Sequence, residues 1–236
     1  MQRVLIPLAP GCEELEAITL IDLLRRAGIN VVTASLEAGI VHCSHGTRLI
    51  ADCNLDDVMT ENFDMVVLPG GLPGSSNLDA DIRVHQILAH HSAKERFVAA
   101  ICAAPKVLAN AGLLRGKSAT AYPGVIQMSD YPELDLLTAP VVVDGKTITS
   151  RGPGTAMDFT LQLIECLAGK SKRDEVEKAL KKHVKKNNIT GEIIGETGTP
   201  NADTVSYYLV SAEGKRLILK AKLTYKPFFE IRKFKP

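Results

Sequence analysis

The sequence has no C-x-x-C pair, no run of about 18 to 20 consecutive apolar residues, and neither of the glycine motifs that bind nucleotide phosphates, G-x-x-x-x-G-K-S/T and G-x-G-x-x-G. The odd count of five cysteines, spread along the chain, argues against a disulfide scaffold. The other two absences exclude a helical membrane span and disfavour nucleotide binding. The first residues also lack the apolar core of a signal peptide. We therefore expect a cytoplasmic protein with no membrane partner.

A strong net charge is also missing. The 236 residues contain 28 Lys and Arg against 27 Asp and Glu, a net charge of +1, so the whole chain gives no electrostatic case for a nucleic-acid partner. The average hides a division, because residues 1–169 hold 12 basic against 19 acidic side chains and residues 170–236 hold 16 against 8. This asymmetry predicts two regions with different roles.

Short β-branched runs alternate with helical patterns through the first 169 residues. The runs predicted as strands are residues 4–6, 31–34, 40–41, 48–50, 64–68, 97–101, 141–143 and 146–148. The helical patterns cover residues 13–27, 82–91, 102–111 and 155–167. This alternation predicts a doubly wound, mostly parallel α/β sheet with helices on both faces. An Asp144-Gly145 turn should join the last two strands as a hairpin.

The α/β pattern stops after Gly169, where a Lys-rich helical segment over residues 172–186 begins. Residues 205–211 and 216–224 are β-prone and predict a hairpin. We therefore divide the chain into an α/β domain, residues 1–186, and a basic, β-hairpin-like C-terminal extension of unknown role, residues 187–236. A solvated hairpin face is favoured over nucleic-acid contact for this extension.

Cys102 stands where an apolar strand meets a helix. Residues 98–101 are Val-Ala-Ala-Ile, and the small residues Ala103 and Ala104 with Pro105 open the helix that follows. This is the form of a nucleophile elbow, in which the helix N-terminus and its free amides stabilise a thiolate. Cys43, Cys53 and Cys166 lack this position and are interpreted as small core residues.

Two further loops follow strands of the predicted sheet. Glu16 lies between Leu15 and Ala17 on the first helix and is either a solvated carboxylate or, if it points to the end of the sheet, a general acid and base with a raised pKa. Glu13 and Glu14 are expected to form a solvated face. Residues 70–71 are two glycines, which either make a tight turn or bring amides close to an oxyanion.

At these residues the sequence resembles the ThiJ/PfpI superfamily, and within it the branch of the Parkinson's-disease-associated deglycase and the bacterial YajL proteins. The resemblance covers about residues 1–180 and rests on residues 9–17, 21–28, 66–71, 99–105 and 149–155. It implies a flavodoxin-like fold and a homodimer. It also implies that Cys102 is the oxidation-sensitive nucleophile, that Glu16 is a protonated glutamate hydrogen-bonded to it, and that Gly70 and Gly71 form the oxyanion turn.

The sequence also departs from the superfamily. Ala103 occupies the position of the catalytic histidine of the protease-like branch, which disfavours a peptidase. Tyr122 falls near the position of a histidine in the deglycase branch, so Glu16 would carry all proton transfer. His45 follows a Cys43-Ser44 pair that matches the dimer contact of the family, where some members have arginine. His42, Cys43 and His45 lack an evident fourth ligand, so no metal is expected.

The resemblance and the site residues together favour a cofactor-free cysteine enzyme that acts on reactive dicarbonyls or their glycated adducts, as a glyoxalase or deglycase. In this hypothesis Cys102 attacks the aldehyde, the amides of Gly70, Gly71 and Ala103 hold the oxyanion, and Glu16 shuttles a proton. An alternative is an oxidative-stress sensor or chaperone that acts through oxidation of Cys102. A weaker alternative, a role in thiazole or thiamine metabolism, has no phosphate-binding motif to support it.

Overall fold

The computed structural model describes residues 1–180 and, beyond them, the backbone of residues 191–197, 204–211 and 216–222. The chain divides into two compact units, Met1–Glu177 and Lys178–Pro236. The predicted boundary between residues 186 and 187 lies outside the described residues. In the part of the chain that the structure describes, no helix is long and apolar enough to cross a membrane.

The first unit is built on a seven-stranded sheet. Its strands in chain order are β1 (Arg3–Leu8), β2 (Asn30–Ser35), β5 (Cys53–Asn54), β6 (Met65–Leu68), β7 (Phe97–Ile101), β10 (Val141–Asp144) and β11 (Thr147–Ser150). Two short pairs lie outside this sheet, the antiparallel β3 (Ile40–His42) with β4 (Arg48–Ile50) and the parallel β8 (Ser118–Thr120) with β9 (Asp135–Leu137).

The strand order in the large sheet is β10-β11-β7-β6-β1-β2-β5. All neighbours are parallel except β10 and β11, which form the hairpin predicted at Asp144-Gly145. The helices are α1 (Glu14–Arg26), α2 (Gly74–Ala80), α3 (Ile82–Ala93), α4 (Pro105–Asn110), α5 (Ala156–Ala168) and α6 (Lys170–Leu180). The doubly wound, mostly parallel α/β prediction is therefore confirmed.

Burial explains why the central strands are apolar on both faces. All four residues of β6 are buried, and residues 98–101 of β7 are likewise buried, because helices cover the sheet on either side. On one side α1 packs against α5, and on the other α2 contacts α3 and α4. The loops at the strand ends are covered neither by a helix layer nor by a neighbouring strand.

The second unit contains a three-stranded antiparallel sheet of β12 (Gly191–Thr197), β13 (Thr204–Ser211) and β14 (Arg216–Lys222). The predicted hairpin corresponds to β13 and β14, which pair from Thr204 with Lys222 to Val210 with Arg216. The strand β12 was not predicted. Its sequence contains two glycines, and the register between β12 and β13 shifts at Ile193 and Gly195, which interrupts the alternation from which strands are recognised.

Candidate active site

The three predicted loops meet at one edge of the sheet. The strands β1, β6 and β7 are adjacent and parallel, so their carboxyl ends lie side by side. Glu16 lies on the helix that follows β1, Gly70 and Gly71 follow β6, and Cys102 follows β7. The topology therefore brings together groups that are distant in sequence, since the hydrogen bond from Gly70 to Glu16 joins positions 54 residues apart.

Cys102 occupies a sharp turn between β7 and α4. Its φ of 63° lies in the left-handed region, which is uncommon for a residue with a side chain and is characteristic of nucleophile elbows. Two backbone hydrogen bonds hold the turn: Cys102 N donates to Ser150 O at 2.9 Å, and Tyr122 N donates to Cys102 O at 2.8 Å. The side chain is buried, with 8% of the residue exposed. The elbow form predicted from the sequence is thus present.

Glu16 is a fully buried carboxyl group, with 0% exposure. The Gly70 amide donates a hydrogen bond of 2.8 Å to its Oε2. Its Oε1 is buried and has no hydrogen-bond partner among the described residues, so it is the oxygen left to carry a proton. Of the two sequence interpretations, a solvated carboxylate and an acid directed at the sheet edge, the structure agrees with the second.

The backbone of Gly70 lies between the side chains of Glu16 and Cys102. A Cβ atom at this position would lie 2.6 Å from the Cβ of Cys102, 2.7 Å from Oε2 of Glu16 and 2.8 Å from the Ile101 carbonyl oxygen. Only glycine fits between the two side chains, and its small size allows the acid and the thiol to approach each other. The need for glycine here is steric, because the φ of Gly70 is not positive.

Burial dominates the ionisation of both groups. It raises the pKa of the Glu16 carboxyl from an ordinary 4.5 to about 7, although the Gly70 amide and the Cys102 side chain favour the charged form. Burial, and then the negative charge of Glu16, raises the pKa of the Cys102 thiol to about 12. Because two negative charges here repel, the pair keeps one proton over a wide pH range. Between about pH 7 and pH 12 that proton lies on the sulfur and Glu16 is a carboxylate, so the thiolate forms when the proton moves to Glu16.

Two backbone amides face the sulfur. Hydrogen bonds from the Gly71 and Ala103 amides to the sulfur lower the pKa of Cys102 and so oppose the effect of burial. Amides in this arrangement stabilise a negative charge on the sulfur or on an oxygen bonded next to it. The interactions that shift the pKa of Cys102 come from Glu16 and these amides, and none comes from a histidine of the described residues.

The loop between β1 and α1 packs tightly on the turn after β6. Glu13 N donates to Gly70 O at 3.0 Å, and Gly74 N donates to Gly11 O at 3.0 Å. A Cβ atom at Gly71 would lie 2.4 Å from Glu13 N, and Gly71 has a φ of 91°, so neither space nor conformation accepts a side chain. This contact fixes the direction of the amides that face Cys102.

Replacing Gly74 with alanine should destabilise the protein, because its Cβ would lie 2.5 Å from the backbone N and Cα of Cys12, which cannot rotate away. We expect the free energy of unfolding to fall by about 1–3 kcal/mol, even though alanine is favoured over glycine in a helix by about 0.5–1 kcal/mol. Urea unfolding measures the change. Gly154→Ala is the matched control, since no atom lies within 4 Å of its Cβ position. Equal stability of the two variants would contradict the packing described here.

An open cavity of about 560 Å³ adjoins the elbow. Ala103, Lys106 and Val107 line it from the start of α4, and Ser75 and Tyr122 line it from neighbouring segments. Tyr122 is half exposed, and its backbone is bonded to Cys102 as described above. The cavity therefore reaches Ala103, the residue that follows Cys102, and has room for a small molecule.

The expectation that Glu13 and Glu14 form a solvated face is wrong. Their side chains are only 13% exposed. Glu13 accepts from Ser44 Oγ at 3.0 Å, and Glu14 accepts from the backbone amides of His45 and Thr47 at 3.1 and 3.2 Å. Burial is the largest single effect and raises the pKa of Glu14, but the hydrogen bonds it accepts together outweigh burial and lower the pKa to about 2. The carboxylates tie α1 to the β3–β4 hairpin, a contact that no local sequence pattern reveals.

Glu13, Glu14 and His45 also bring ligand atoms within 4.8 Å of one another. The oxygens of both carboxylates already accept hydrogen bonds from Ser44, His45 and Thr47, so the cluster is explained by its role in fixing the hairpin. It supports no metal assignment.

Fold and site together define a class: α/β proteins with a cysteine at a strand-to-helix elbow beside a buried carboxyl group. The sequence profile of the DJ-1/PfpI family matches residues 2–166. The chain is 47% identical over 182 residues to the protein dj-1beta of Drosophila melanogaster, which covers 76% of this chain and 96% of that protein. The crystal structure of Drosophila melanogaster DJ-1beta superposes with a TM-score of 0.71 and 45% identity, over 76% of this chain and 97% of that one.

A second relative is the glutathione-independent glyoxalase DJR-1.2 of Caenorhabditis elegans, which is 35% identical over 182 residues, 76% of this chain and 96% of that protein. The chain therefore belongs to the DJ-1/PfpI family, as the resemblance in the sequence implied. The branch is the one that contains the DJ-1 proteins.

Proposed function

We propose that this protein is a cofactor-independent glyoxalase or deglycase, which converts a reactive dicarbonyl such as methylglyoxal, or its adducts, to a hydroxy acid. The observation that carries the proposal is the fully buried Glu16, whose pKa of about 7 suits proton transfer at neutral pH, next to Cys102 at the elbow. The name of the Caenorhabditis elegans relative, a glutathione-independent glyoxalase, supports this class of reaction.

The first step is attack of the Cys102 thiolate on the aldehyde carbon of methylglyoxal, entering through the cavity beside Ala103 and Tyr122. The carbon–sulfur bond forms as the carbonyl π bond breaks, and the negative charge moves to oxygen. The amides of Gly71 and Ala103 stabilise this oxyanion. Glu16 supplies the proton that makes the hemithioacetal neutral, which leaves Glu16 as a carboxylate ready to act as a base.

The second step moves a proton between the two carbons. The Glu16 carboxylate removes the proton from the carbon bonded to sulfur, and an enediol forms as the hydroxyl proton passes to the neighbouring carbonyl oxygen. Glu16 then returns its proton to the neighbouring carbon, the carbonyl re-forms on the carbon bonded to sulfur, and the product is a lactoyl thioester. Attack of water on the thioester releases lactate and restores the Cys102 thiolate. The net reaction is methylglyoxal plus water to lactate. No group outside the chain, the substrate and water is needed.

The test compares free methylglyoxal with methylglyoxal adducts of an amine and of a thiol as substrates. We expect enzymatic lactate formation from free methylglyoxal, read by a coupled lactate assay on each substrate. Faster release of amine and lactate from the adducts than their spontaneous dissociation allows would assign deglycation. Equal rates, with the adducts limited by spontaneous dissociation, would assign capture of the free aldehyde. The absence of lactate from every substrate would refute the proposal.

A second function, sensing of oxidants through Cys102, has its own support in the structure. The Gly71 and Ala103 amides and the Glu16 side chain interact with the sulfur and would bond to the oxygens of a sulfinate. Stable uptake of two oxygens by Cys102 in dilute peroxide is the measurement that distinguishes this function from catalysis. A homodimer and a chaperone activity remain predictions from the family resemblance.

A further inference from the structure

A second pair of reactive groups lies outside the site described above. The sulfur atoms of Cys12 and Cys43 are 3.6 Å apart, and both cysteines are free thiols. Cys12 is 0% exposed and Cys43 is 7% exposed. Neither residue has a part in the proposed reaction, and the sequence interpretation placed Cys43 among the core cysteines. Their proximity depends on the tertiary structure, since 31 positions separate them.

The backbone holds the two cysteines together. Gly11 N donates to His42 O at 2.7 Å, and Ser44 N donates to Cys12 O at 2.9 Å, so a hydrogen bond flanks the pair on each side. The Glu13 and Glu14 carboxylates, bonded to residues 44, 45 and 47, fix the same contact from the next positions along the chain. The sulfur atoms therefore face each other in a rigid setting, and the separation is not a chance approach of two mobile side chains.

We propose that Cys12 and Cys43 are an oxidisable pair that forms an intramolecular disulfide in the presence of a hydroperoxide, and that this modification site is separate from Cys102. Closing the bond requires the sulfur atoms to move from 3.6 Å to a bonding distance of about 2.0 Å.

The pKa values of the two thiols differ, and this difference determines which sulfur reacts first with the oxidant. Burial raises the pKa of both thiols. The hydrogen bond between the two sulfurs partly offsets the effect of burial on the pKa of Cys43, whereas the charge of Cys43 raises the pKa of Cys12 further. Cys43 is thus the first of the two thiols to ionise.

The chemistry balances with a hydroperoxide as the only co-reactant. The Cys43 thiolate attacks one oxygen of hydrogen peroxide, and the O–O bond breaks. Hydroxide is the leaving group, and the sulfur becomes a sulfenic acid. The Cys12 sulfur then attacks the Cys43 sulfur, the S–O bond breaks, and the oxygen departs as water with the Cys12 proton. Two thiols and one hydrogen peroxide give one disulfide and two waters. The pair is oxidised by two electrons and the peroxide is reduced by two.

The experiment is peptide mapping of the full-length protein after treatment with dilute hydrogen peroxide and blocking of free thiols. Trypsin places Cys12 in residues 4–25, Cys43 in residues 27–48 and Cys102 in residues 97–106, with Cys53 and Cys166 on peptides of their own. We expect a cross-linked species of residues 4–25 with 27–48, lighter than the sum of the two peptides by about 2 Da, that disappears on reduction. Non-reducing electrophoresis should show it in the monomer band.

Three variants control the assignment. Cys102→Ser should still form the bond, because the pair does not use Cys102. Cys43→Ser and Cys12→Ser should each lose it, and Cys12→Ser should instead leave Cys43 as a trapped sulfenic acid that reacts with dimedone. The wild-type map needs no variant, so a variant that does not fold leaves the test intact.

Two results would overturn the proposal. One is that residues 4–25 and 27–48 are recovered only as blocked free thiols at peroxide levels that oxidise the Cys102 peptide. The other is that either peptide is linked to a different cysteine or to a second chain. Because the measurement follows a bond and not lactate formation, its outcome is independent of the proposed catalytic function.

Discussion

Replacing Cys102 with serine should reduce lactate formation from methylglyoxal by on the order of 10³-fold or more, because the reaction loses its nucleophile. A serine hydroxyl has nearly the same size, so the elbow and its bonds to Ser150 and Tyr122 should persist. It ionises far less readily than a thiol, and a carboxyl group with a pKa of about 7 cannot remove its proton to a useful extent. Steady-state lactate assays on the purified variant measure the effect.

Cys166→Ser is the matched control. Cys166 is a partly buried cysteine on α5, where its sulfur accepts a hydrogen bond from the Gln162 amide at 3.7 Å, and it has no contact with the site described above. This variant should keep the wild-type rate. If Cys102→Ser kept most of its activity with an unchanged thermal midpoint, then Cys102 would not be the nucleophile and the proposed mechanism would be wrong.

Replacing Glu16 with glutamine should lower the turnover number by about 10²- to 10⁴-fold, the usual contribution of a positioned acid and base. The amide keeps the shape of the carboxyl group, and its oxygen can still accept the hydrogen bond from Gly70. What it cannot do is exchange a proton with the substrate carbons or with Cys102. The loss should appear in kcat more than in KM, because Glu16 is buried at the base of the site.

The pH dependence of this variant distinguishes proton transfer from a structural role. In the wild type the acid–thiol pair loses its first proton at a pKa of about 7, so activity should rise with pH through this value. In Glu16→Gln the negative charge that raises the pKa of Cys102 is absent, and only burial still raises it. The rate of Cys102 alkylation by iodoacetamide should therefore rise at less alkaline pH than in the wild type, while the rise of activity near pH 7 is lost. An unchanged pH profile would contradict the role assigned to Glu16.

The pH dependence of the free energy of unfolding gives a second measure of the ionisation of Glu16. The pKa of Glu16 is raised from 4.5 in the unfolded chain to about 7 in the fold, so the fold binds its proton more tightly. The stability gained from this proton is fully present below about pH 4.5 and is lost as the pH rises through about 7, on the order of 3 kcal/mol in all. This pH dependence should be absent in Glu16→Gln. Glu37→Gln, at an exposed position, should behave as the wild type.

Much of the fold could be predicted because local patterns and burial agree. Buried strands such as β6 and β7 appear in the sequence as short apolar runs. The amphipathic helices α1 and α5 appear as apolar residues repeated at helical spacing. The Asp144-Gly145 pair fixed a hairpin through the φ of 60° that Gly145 adopts. The short elements were missed. The helix α2 (Gly74–Ala80) begins with Gly-Ser-Ser-Asn, and the two-residue strand β5 carries no repeat from which a period can be read.

The candidate site was predictable in part for the same reason. A cysteine between an apolar strand and a helix opened by small residues is a local pattern, so Cys102 could be located before the structure. Whether Glu16 was buried or solvated could not be decided from its neighbours, because Leu15 beside it is half exposed while Ala17 is fully buried. The family resemblance, and not the spacing, favoured the buried alternative.

The sequence by itself determined the class of fold, the elbow at Cys102 and the family, because each is encoded by residues that are neighbours along the chain. Only the tertiary structure decided the ionisation of Glu16, the steric need for glycine at position 70, the burial of Glu13 and Glu14, and the pairing of Cys12 with Cys43. These properties depend on distances between segments that meet through the parallel sheet. Electrostatic and steric interactions act across space, and no pattern confined to one segment contains them.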